Sequence, residues 1–256
     1  MSALRGKVAL VTGGNGGIGL GMAEGLAQAG CDLVIWGSNA QKNAAAEKAL
    51  KAHGVRVLAQ RCDVADEAQV EAAFAAALEA MGRIDGCFAN AGVSQKHGPF
   101  HELATAEWKR VLGVNLDGAF YTLRAAARHM VERAKAGNAG GRLVGMASTA
   151  AVHGAARAEA YAASKGAMIA LVRALAVELA RYKVTANAIL PGWIETEMTA
   201  RAMGDEKFAG TVMPRIPLRR WGRKEDFAGV AVYLMSDASG YHTGDSFVID
   251  GAYTIF

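Results

Sequence analysis

At 256 residues the chain exceeds the usual single-domain size, yet α/β folds of about 200 to 250 residues routinely form one domain, so length favours one domain over two. Hydrophobic residues make up 52% and charged residues 20%, which excludes an acidic or low-complexity disordered chain. The net charge is +4, but lysines and arginines are scattered with no run of five or six, so no nucleic-acid partner is expected. Strand candidates follow in chain order: VALVT at 8–12, DLVIW at 32–36, RVLAQ at 56–60, IDGCFAN at 84–90, RLVGMAS at 142–148, VTANAIL at 184–190 and SFVID at 246–250. They lack polar alternation, as strands buried on both faces of a helix-covered parallel sheet do.

Ala-rich helical patterns fill the intervals at 18–29, 66–81, 105–134, 160–182 and 224–235. Asp66 heads an acidic first turn, and Glu107 stands close behind Thr105, as at helix starts. This alternation predicts an α/β chain: residues 1–256 form one Rossmann-type domain, a doubly wound seven-stranded parallel sheet with helices on both faces. Residues 195–220 carry Pro214, Pro217 and several charges without a periodic pattern, and are a candidate mobile lid; an ordinary surface excursion would look the same.

Between the first strand and the first helix stands Thr12-Gly13-Gly14-Asn15-Gly16-Gly17-Ile18-Gly19. A tight turn needs φ > 0, a pyrophosphate approaches backbone only where Cβ atoms are absent, and a helix N-terminus offers it unpaired N–H groups. Gly13, Gly17 and Gly19 suit these roles, although the spacing is Gly-x-x-x-Gly-x-Gly rather than Gly-x-Gly-x-x-Gly. At the end of the second strand an acidic residue would bond ribose hydroxyls and repel a 2′-phosphate; Gly37 stands there, followed by Ser38, Asn39 and Lys42. NADP is therefore favoured, with NAD still possible, and Ser38 and Asn39 could equally cap a helix from Gln41. Asp63 ends the third strand and could meet the adenine edge, with Val64 beside it, while Asn90-Ala91-Gly92 ends the fourth.

Tyr161 and Lys165 are four apart in a helical stretch and share a face. A nearby ammonium and a positive nicotinamide favour phenolate, which makes the pair a candidate acid/base device. Ser148, at the end of the fifth strand, could hydrogen-bond the reacting oxygen from the other side. Tyr161 then donates the proton, Ser148 orients the oxygen, and Lys165 holds ribose and tunes the phenol.

With the glycine loop, Asn90-Ala91-Gly92, Ser148, Tyr161 and Lys165 in chain order, the sequence resembles the short-chain dehydrogenase/reductase family over essentially its whole length. The resemblance implies an NAD(P)-dependent oxidoreductase acting on alcohols and ketones, and adds Asn115 in VNLDGAF as the fourth member of an Asn-Ser-Tyr-Lys tetrad that holds a water beside the lysine. It implies cofactor contacts from Asn15, Gly16 and Ile18 in the loop and from Pro191, Gly192, Ile194 and Thr196 near the nicotinamide. It implies a homotetramer built through the helices at 105–134 and 160–182 and the last strand, TGDSFVIDGAY. The sequence departs from the family pattern at Asp245, at Ala252, and in the turn after strand two, which has neither acid nor arginine. A halohydrin dehalogenase-like lyase is disfavoured by the intact loop and lysine, and a nonenzymatic cofactor sensor by Tyr161.

The expected substrate walls are Ser94 to His97, Ala150 to His153, Trp193, Ile194, Met198, Met203 and Phe208. Their small or apolar character predicts a medium or bulky hydrophobic ketone or secondary alcohol, with a 3-oxoacyl thioester as the alternative. His97, His101 and His153 read better as surface residues. Cys31, Cys62 and Cys87 are odd in number, far apart and apolar-flanked, so buried thiols are expected rather than disulfides or a metal site. MSALRGKVALVTGG enters the first strand without an apolar leader, and no run approaches about 18 uninterrupted apolar residues, so a cytoplasmic chain without a membrane partner is expected.

Overall fold

The computed structural model describes residues 4–96 and 98–256; His97, one of the expected wall residues, lies outside them. Seven strands form one sheet: β1 (Val8–Thr12), β2 (Asp32–Gly37), β3 (Val57–Arg61), β4 (Gly86–Ala89), β5 (Gly141–Met146), β6 (Val184–Pro191) and β7 (Ser246–Ile249). Their spatial order is β3-β2-β1-β4-β5-β6-β7, and every neighbouring pair is parallel. The order reverses at β1, so the carboxyl ends of β1 and β4 flank the crevice where a doubly wound sheet takes its ligand.

The helices are α1 (Gly17–Gln28), α2 (Ala40–Lys51), α3 (Glu67–Met81), α4 (Thr105–Leu112), α5 (Gly118–Lys135), α6 (Ala150–His153), α7 (Glu159–Leu179), α8 (Ala200–Met203), α9 (Glu206–Val212) and α10 (Ala228–Met235). Successive strand residues point to opposite faces, and the core divides accordingly. Leu10, Val34, Trp36, Cys87 and Leu143 pack with Val70 and Phe74 of α3, Leu123 and Met130 of α5, and Met168 and Val172 of α7. Ala9, Val11, Leu33, Ile35, Phe88 and Val144 pack with Met22 and Leu26 of α1, Leu50 of α2, and Leu234 of α10. Each large side chain so buried contributes about 1.5–3 kcal/mol, which explains why uninterrupted apolar strands rather than alternating ones specify this sheet. By length and composition Glu159–Tyr182 could cross a membrane, but Met168, Val172, Ala176 and Leu179 of this helix lie in the first of these cores.

Two details depart from the sequence expectation. The pattern at 105–134 is two helices joined by a π-helical turn at Gly113–Asp117, which carries Asn115. Periodicity alone does not reveal one extra residue in a turn, and such insertions cluster at functional sites. Asp66 caps α3 through the Gln69 N–H, but Thr105 is the first residue of α4 and no side chain caps that helix. Glu107 instead accepts from the Lys96 N–H at 2.7 Å and from the Arg110 guanidinium. Residues 195–220 hold α8, α9 and a 3-10 turn at Met213–Arg215, and the segment starts and ends at a bridge between Ile194 and Gly222.

Candidate active site

The glycine loop is stitched to the switch point by hydrogen bonds. The Thr12 hydroxyl accepts from the N–H groups of Asn90 and Ala91 at 3.0 and 2.9 Å, and the Asn90 amide donates to the Thr12 carbonyl at 2.8 Å. Gly13 turns the chain at φ +65° and donates to the Trp36 carbonyl at 2.7 Å. Gly19 lies so close behind it that a Cβ there would stand 2.2 Å from the Gly13 oxygen. Gly16 differs: an added Cβ would meet nothing within 4 Å, and as the residue preceding α1 it supplies no side-chain cap. The first N–H groups of α1 thus face an open cradle, which fits the pyrophosphate of a dinucleotide. Ile18, the second residue of α1, packs against the core beneath it.

At the end of β2 the glycine is imposed by packing. A Cβ on Gly37 would lie 2.1 Å from Asn15 Nδ2 and 2.5 Å from Asn43 Oδ1. Asn15 donates to Asn43 at 2.6 Å, and the buried Asn43 amide donates in turn to the Gly37 and Gln60 carbonyls at 3.0 Å each. Asn43, which the sequence reading missed, therefore ties the glycine loop to β2 and β3 and leaves no room for an acidic side chain at position 37. Of the expected phosphate contacts, Ser38 is exposed, Asn39 caps α2 by accepting the Lys42 N–H, and Lys42 Nζ donates to Glu197 at 2.7 and 2.5 Å. Arg61, exposed and paired in register with Gly37, is a second cation at this corner that the sequence reading passed over. Asp63 is exposed, with one carboxylate oxygen accepting from the Ala65 N–H at 3.1 Å, and Val64 is buried against Gly118.

Tyr161 and Lys165 lie on the first two turns of α7, and the Lys165 Nζ stands 5.5 Å from the centre of the Tyr161 ring. Lys165 is 3% exposed and donates to the Met146 carbonyl at 2.7 Å; burial pulls its ammonium down to about 8. Burial raises the Tyr161 phenol above its ordinary value, opposed by the Ser148 hydroxyl. A protonated phenol is the form that donates to a carbonyl oxygen. Ser148, 9% exposed, follows β5 and accepts from the Ala150 N–H at 3.1 Å, its own O–H remaining as donor.

Asn115 is 1% exposed; its Oδ1 accepts from the Val93 N–H at 2.7 Å, and its Nδ2 donates to the Val93 carbonyl and the Ser164 hydroxyl at 3.0 and 3.2 Å. A Cβ on Gly92 would stand 3.2 Å from Asn115 Oδ1 and 3.6 Å from Lys165 Nζ, so the end of β4, the π turn and α7 meet at one point. All four tetrad candidates thus converge there.

On the substrate side, Trp193 and Phe208 stack edge to face at 4.8 Å, and with Trp221 they flank a small core of Val212, Ile216 and Tyr253. His153 and Arg215 both lie on Tyr253, at 5.4 and 4.7 Å from the ring centre. Gln95 is corrected from wall to support: 2% exposed, it accepts from the Ala160 N–H at 2.7 Å and donates to the Arg157 carbonyl and the Glu159 carboxylate at 3.2 Å each. Near the nicotinamide end, the Pro191 carbonyl accepts from the Thr149 N–H, Gly192 abuts Asp250, Ile194 is buried against Gly222, and Thr196 lies above Gly17.

A family profile described as Enoyl-(Acyl carrier protein) reductase matches residues 13–254. Gluconate 5-dehydrogenase of Gluconobacter oxydans is 34% identical over 253 residues, covering 99% of this chain and 96% of that protein. The 5-keto-D-gluconate 5-reductase of Escherichia coli is 36% identical over 249 residues, covering 97% and 96%. Among solved structures, a gluconate 5-dehydrogenase from Burkholderia cenocepacia in complex with NADP and tartrate superposes with a TM-score of 0.92 at 34% identity, covering 99% and 97%. On this fold, this loop and these relatives, the chain belongs to the short-chain dehydrogenase/reductase family and is an NAD(P)-dependent oxidoreductase acting on alcohol and ketone groups.

Proposed function

We propose that this enzyme reduces a medium or bulky hydrophobic ketone, or oxidises the matching secondary alcohol, with NADP(H) preferred. The convergence of Ser148, Tyr161 and Lys165 beside the open glycine cradle carries this reading. A nicotinamide nucleotide held by the glycine loop would supply or accept the hydride. Tyr161 donates its phenolic proton to the carbonyl oxygen as that oxygen gains negative charge, and Ser148 donates a hydrogen bond to the same atom. Lys165, held by the Met146 carbonyl, keeps a positive charge beside the phenol and steadies the phenolate left behind. Asn115, fixed between Val93 and Ser164, orders the wall behind the lysine. Residues 195–220 act as the lid, opening at the Ile194–Gly222 bridge, and the aromatic pair Trp193–Phe208 supplies the apolar surface.

NADP preference is supported by the absent acid at Gly37 and by the exposed Arg61 at that corner. A second substrate reading is favoured by the Arg215 guanidinium and the His153 imidazole on Tyr253 and by the relatives that act on gluconate and 5-keto-D-gluconate: a keto sugar acid, its carboxylate met by Arg215 and His153. A homotetramer is supported by apolar side chains exposed on the helices and strand concerned, Phe120 of α5, Val177 of α7 and Val248 of β7. The test is a screen following nicotinamide absorbance with aryl and alicyclic ketones against keto sugar acids. Turnover of the former, with inert sugar acids, is expected; efficient turnover of a keto sugar acid with inert apolar ketones overturns the first reading in favour of the second.

A further inference from the structure

Lys42 stands in the first turn of α2, beside the end of β2, whereas Glu197 belongs to the segment that leaves β6. The two side chains meet in an ion pair, Lys42 Nζ lying 2.7 Å from Glu197 Oε1 and 2.5 Å from Oε2. Between them the chain passes over the glycine loop, since a Cβ on Gly17 would stand 3.2 Å from Thr196 Cγ2. Residues 192–197 are therefore a strap across the whole crevice. One end is fastened at Gly192, whose N–H donates to the Ile249 carbonyl at 3.0 Å, and at Glu195, whose N–H donates to the Gly222 carbonyl at 2.8 Å. Toward the far end the chain enters a tight turn, in which the Thr196 N–H donates to the Thr199 hydroxyl at 3.1 Å. Its far end is fastened to α2 only by the Lys42–Glu197 pair among the described contacts.

Resting on the NADP reading above, we infer that Glu197 is a cofactor-specificity residue: its carboxylate occupies the lysine that the β2–α2 turn offers to a 2′-phosphate. A nucleotide with a 2′-phosphate must displace Glu197 from Lys42 and meets its negative charge, whereas one with a free 2′-hydroxyl leaves the pair in place. Acid at the end of β2 is the familiar way to repel that phosphate. Here Asn15 and Asn43 fill that space, and the negative charge arrives instead from the opposite wall of the crevice, on the segment that also borders the substrate. Both side chains are substantially exposed, 45% for Lys42 and 83% for Glu197, so the effect is of surface-pair size and screened by salt.

The test is fluorescence titration of Glu197→Gln with NADPH and NADH at low ionic strength, together with the fragments 2′,5′-ADP and 5′-ADP, which need no substrate. Removing one negative charge beside the phosphate is expected to tighten NADPH and 2′,5′-ADP roughly threefold to fivefold, with NADH and 5′-ADP changing less than about 1.5-fold. The gain is expected to disappear in Lys42→Met/Glu197→Gln and to shrink in high salt. Equal shifts for phosphorylated and unphosphorylated probes, or none, would overturn the inference. Wild-type preference for NADPH without any response to Glu197→Gln rejects this inference alone. Wild-type preference for NADH with a shift toward NADPH in Glu197→Gln rejects the NADP reading and upholds the role of Glu197.

Discussion

Gln95 makes the most informative single substitution, because it holds the start of α7 from outside the helix. Ala158, the residue before α7, has no side-chain oxygen with which to cap it, so one of the orphan N–H groups of the first turn, that of Ala160, is satisfied by Gln95 Oε1 at 2.7 Å. The same amide donates to the Arg157 carbonyl and the Glu159 carboxylate, so all three bonds fall on the residues preceding Tyr161, and Arg157 itself is held at φ +63°. Gln95→Met keeps the length and volume of the side chain and removes the three bonds. At about 1 kcal/mol for each neutral bond and somewhat more for the charged one, the loss is on the order of 3 kcal/mol. For a chain of this size that corresponds to a fall in Tm of about 6–12 °C. A displacement of Tyr161 by less than about 1 Å lowers kcat by roughly 10- to 100-fold, while the Kd for nicotinamide nucleotide, set by the glycine loop, stays within about twofold. Thermal unfolding, single-turnover kinetics and fluorescence titration measure the three quantities. A variant with unchanged Tm and a kcat within about twofold of wild type would refute the positioning role of Gln95.

Gly37→Ala is expected to break the Asn15–Asn43 bond and crowd the buried Asn43, costing about 1–3 kcal/mol in urea unfolding and weakening both cofactors; an unperturbed variant would show that the corner repacks freely. Tyr161→Phe removes only the proton donor, so turnover falls about 100- to 10,000-fold while nucleotide titration is unchanged, and near-normal turnover would mean that another group is the acid. Burial lowers Lys165 from 10.5 to about 8, so above pH 8 the unfolded chain binds more protons than the folded one and stability rises with pH until about pH 10.5. Below pH 8 the buried ammonium costs on the order of 3 kcal/mol, less the bond to Met146. Lys165→Met is therefore expected to match or exceed the wild-type Tm at pH 7 without nucleotide, and to lack part of the wild-type rise between pH 8 and 10; a variant with lower Tm at pH 7 and the full rise contradicts this. Burial also pushes the Cys62 and Cys87 thiols up to about 11 and 12, and Cys31 higher, so a thiol reagent is expected to label none in the native protein and all 3 cysteines after unfolding.

Hydrophobic pattern carried most of the fold. The seven apolar runs became the seven strands, with ends moved by at most two residues; the inner strands are buried on both faces and leave no polar alternation, while the edge strands β3 and β7 are only partly buried. The tetrad candidates were legible because their spacing and their places at strand ends are local features, and the structure brings Asn115, Ser148, Tyr161 and Lys165 around one point. Long-range contacts were not legible. Nothing in the linear sequence shows that Asn43 pairs with Asn15, that Gln95 caps a helix beginning 64 residues later, or that Glu197 reaches Lys42. The π turn at Gly113–Asp117 escaped for a different reason, since five residues are too few for a change of periodicity to show in the sequence. The direction in which burial moves the Tyr161 phenol was not legible either, because burial depends on every neighbour and only the partner four residues away is visible in the sequence.

Fluorescence titration of the wild-type protein with NADPH and NADH tests the central claim most directly, since it depends on the glycine cradle and on no assumption about the substrate. Saturable binding of a reduced nicotinamide nucleotide, with NADPH the tighter, is the result predicted by the open cradle at Gly16, the missing acid at Gly37 and the exposed Arg61 beside it. Binding of neither nucleotide to the folded protein would contradict the assignment of this crevice to a nicotinamide cofactor and, with it, the catalytic roles proposed for Ser148, Tyr161 and Lys165.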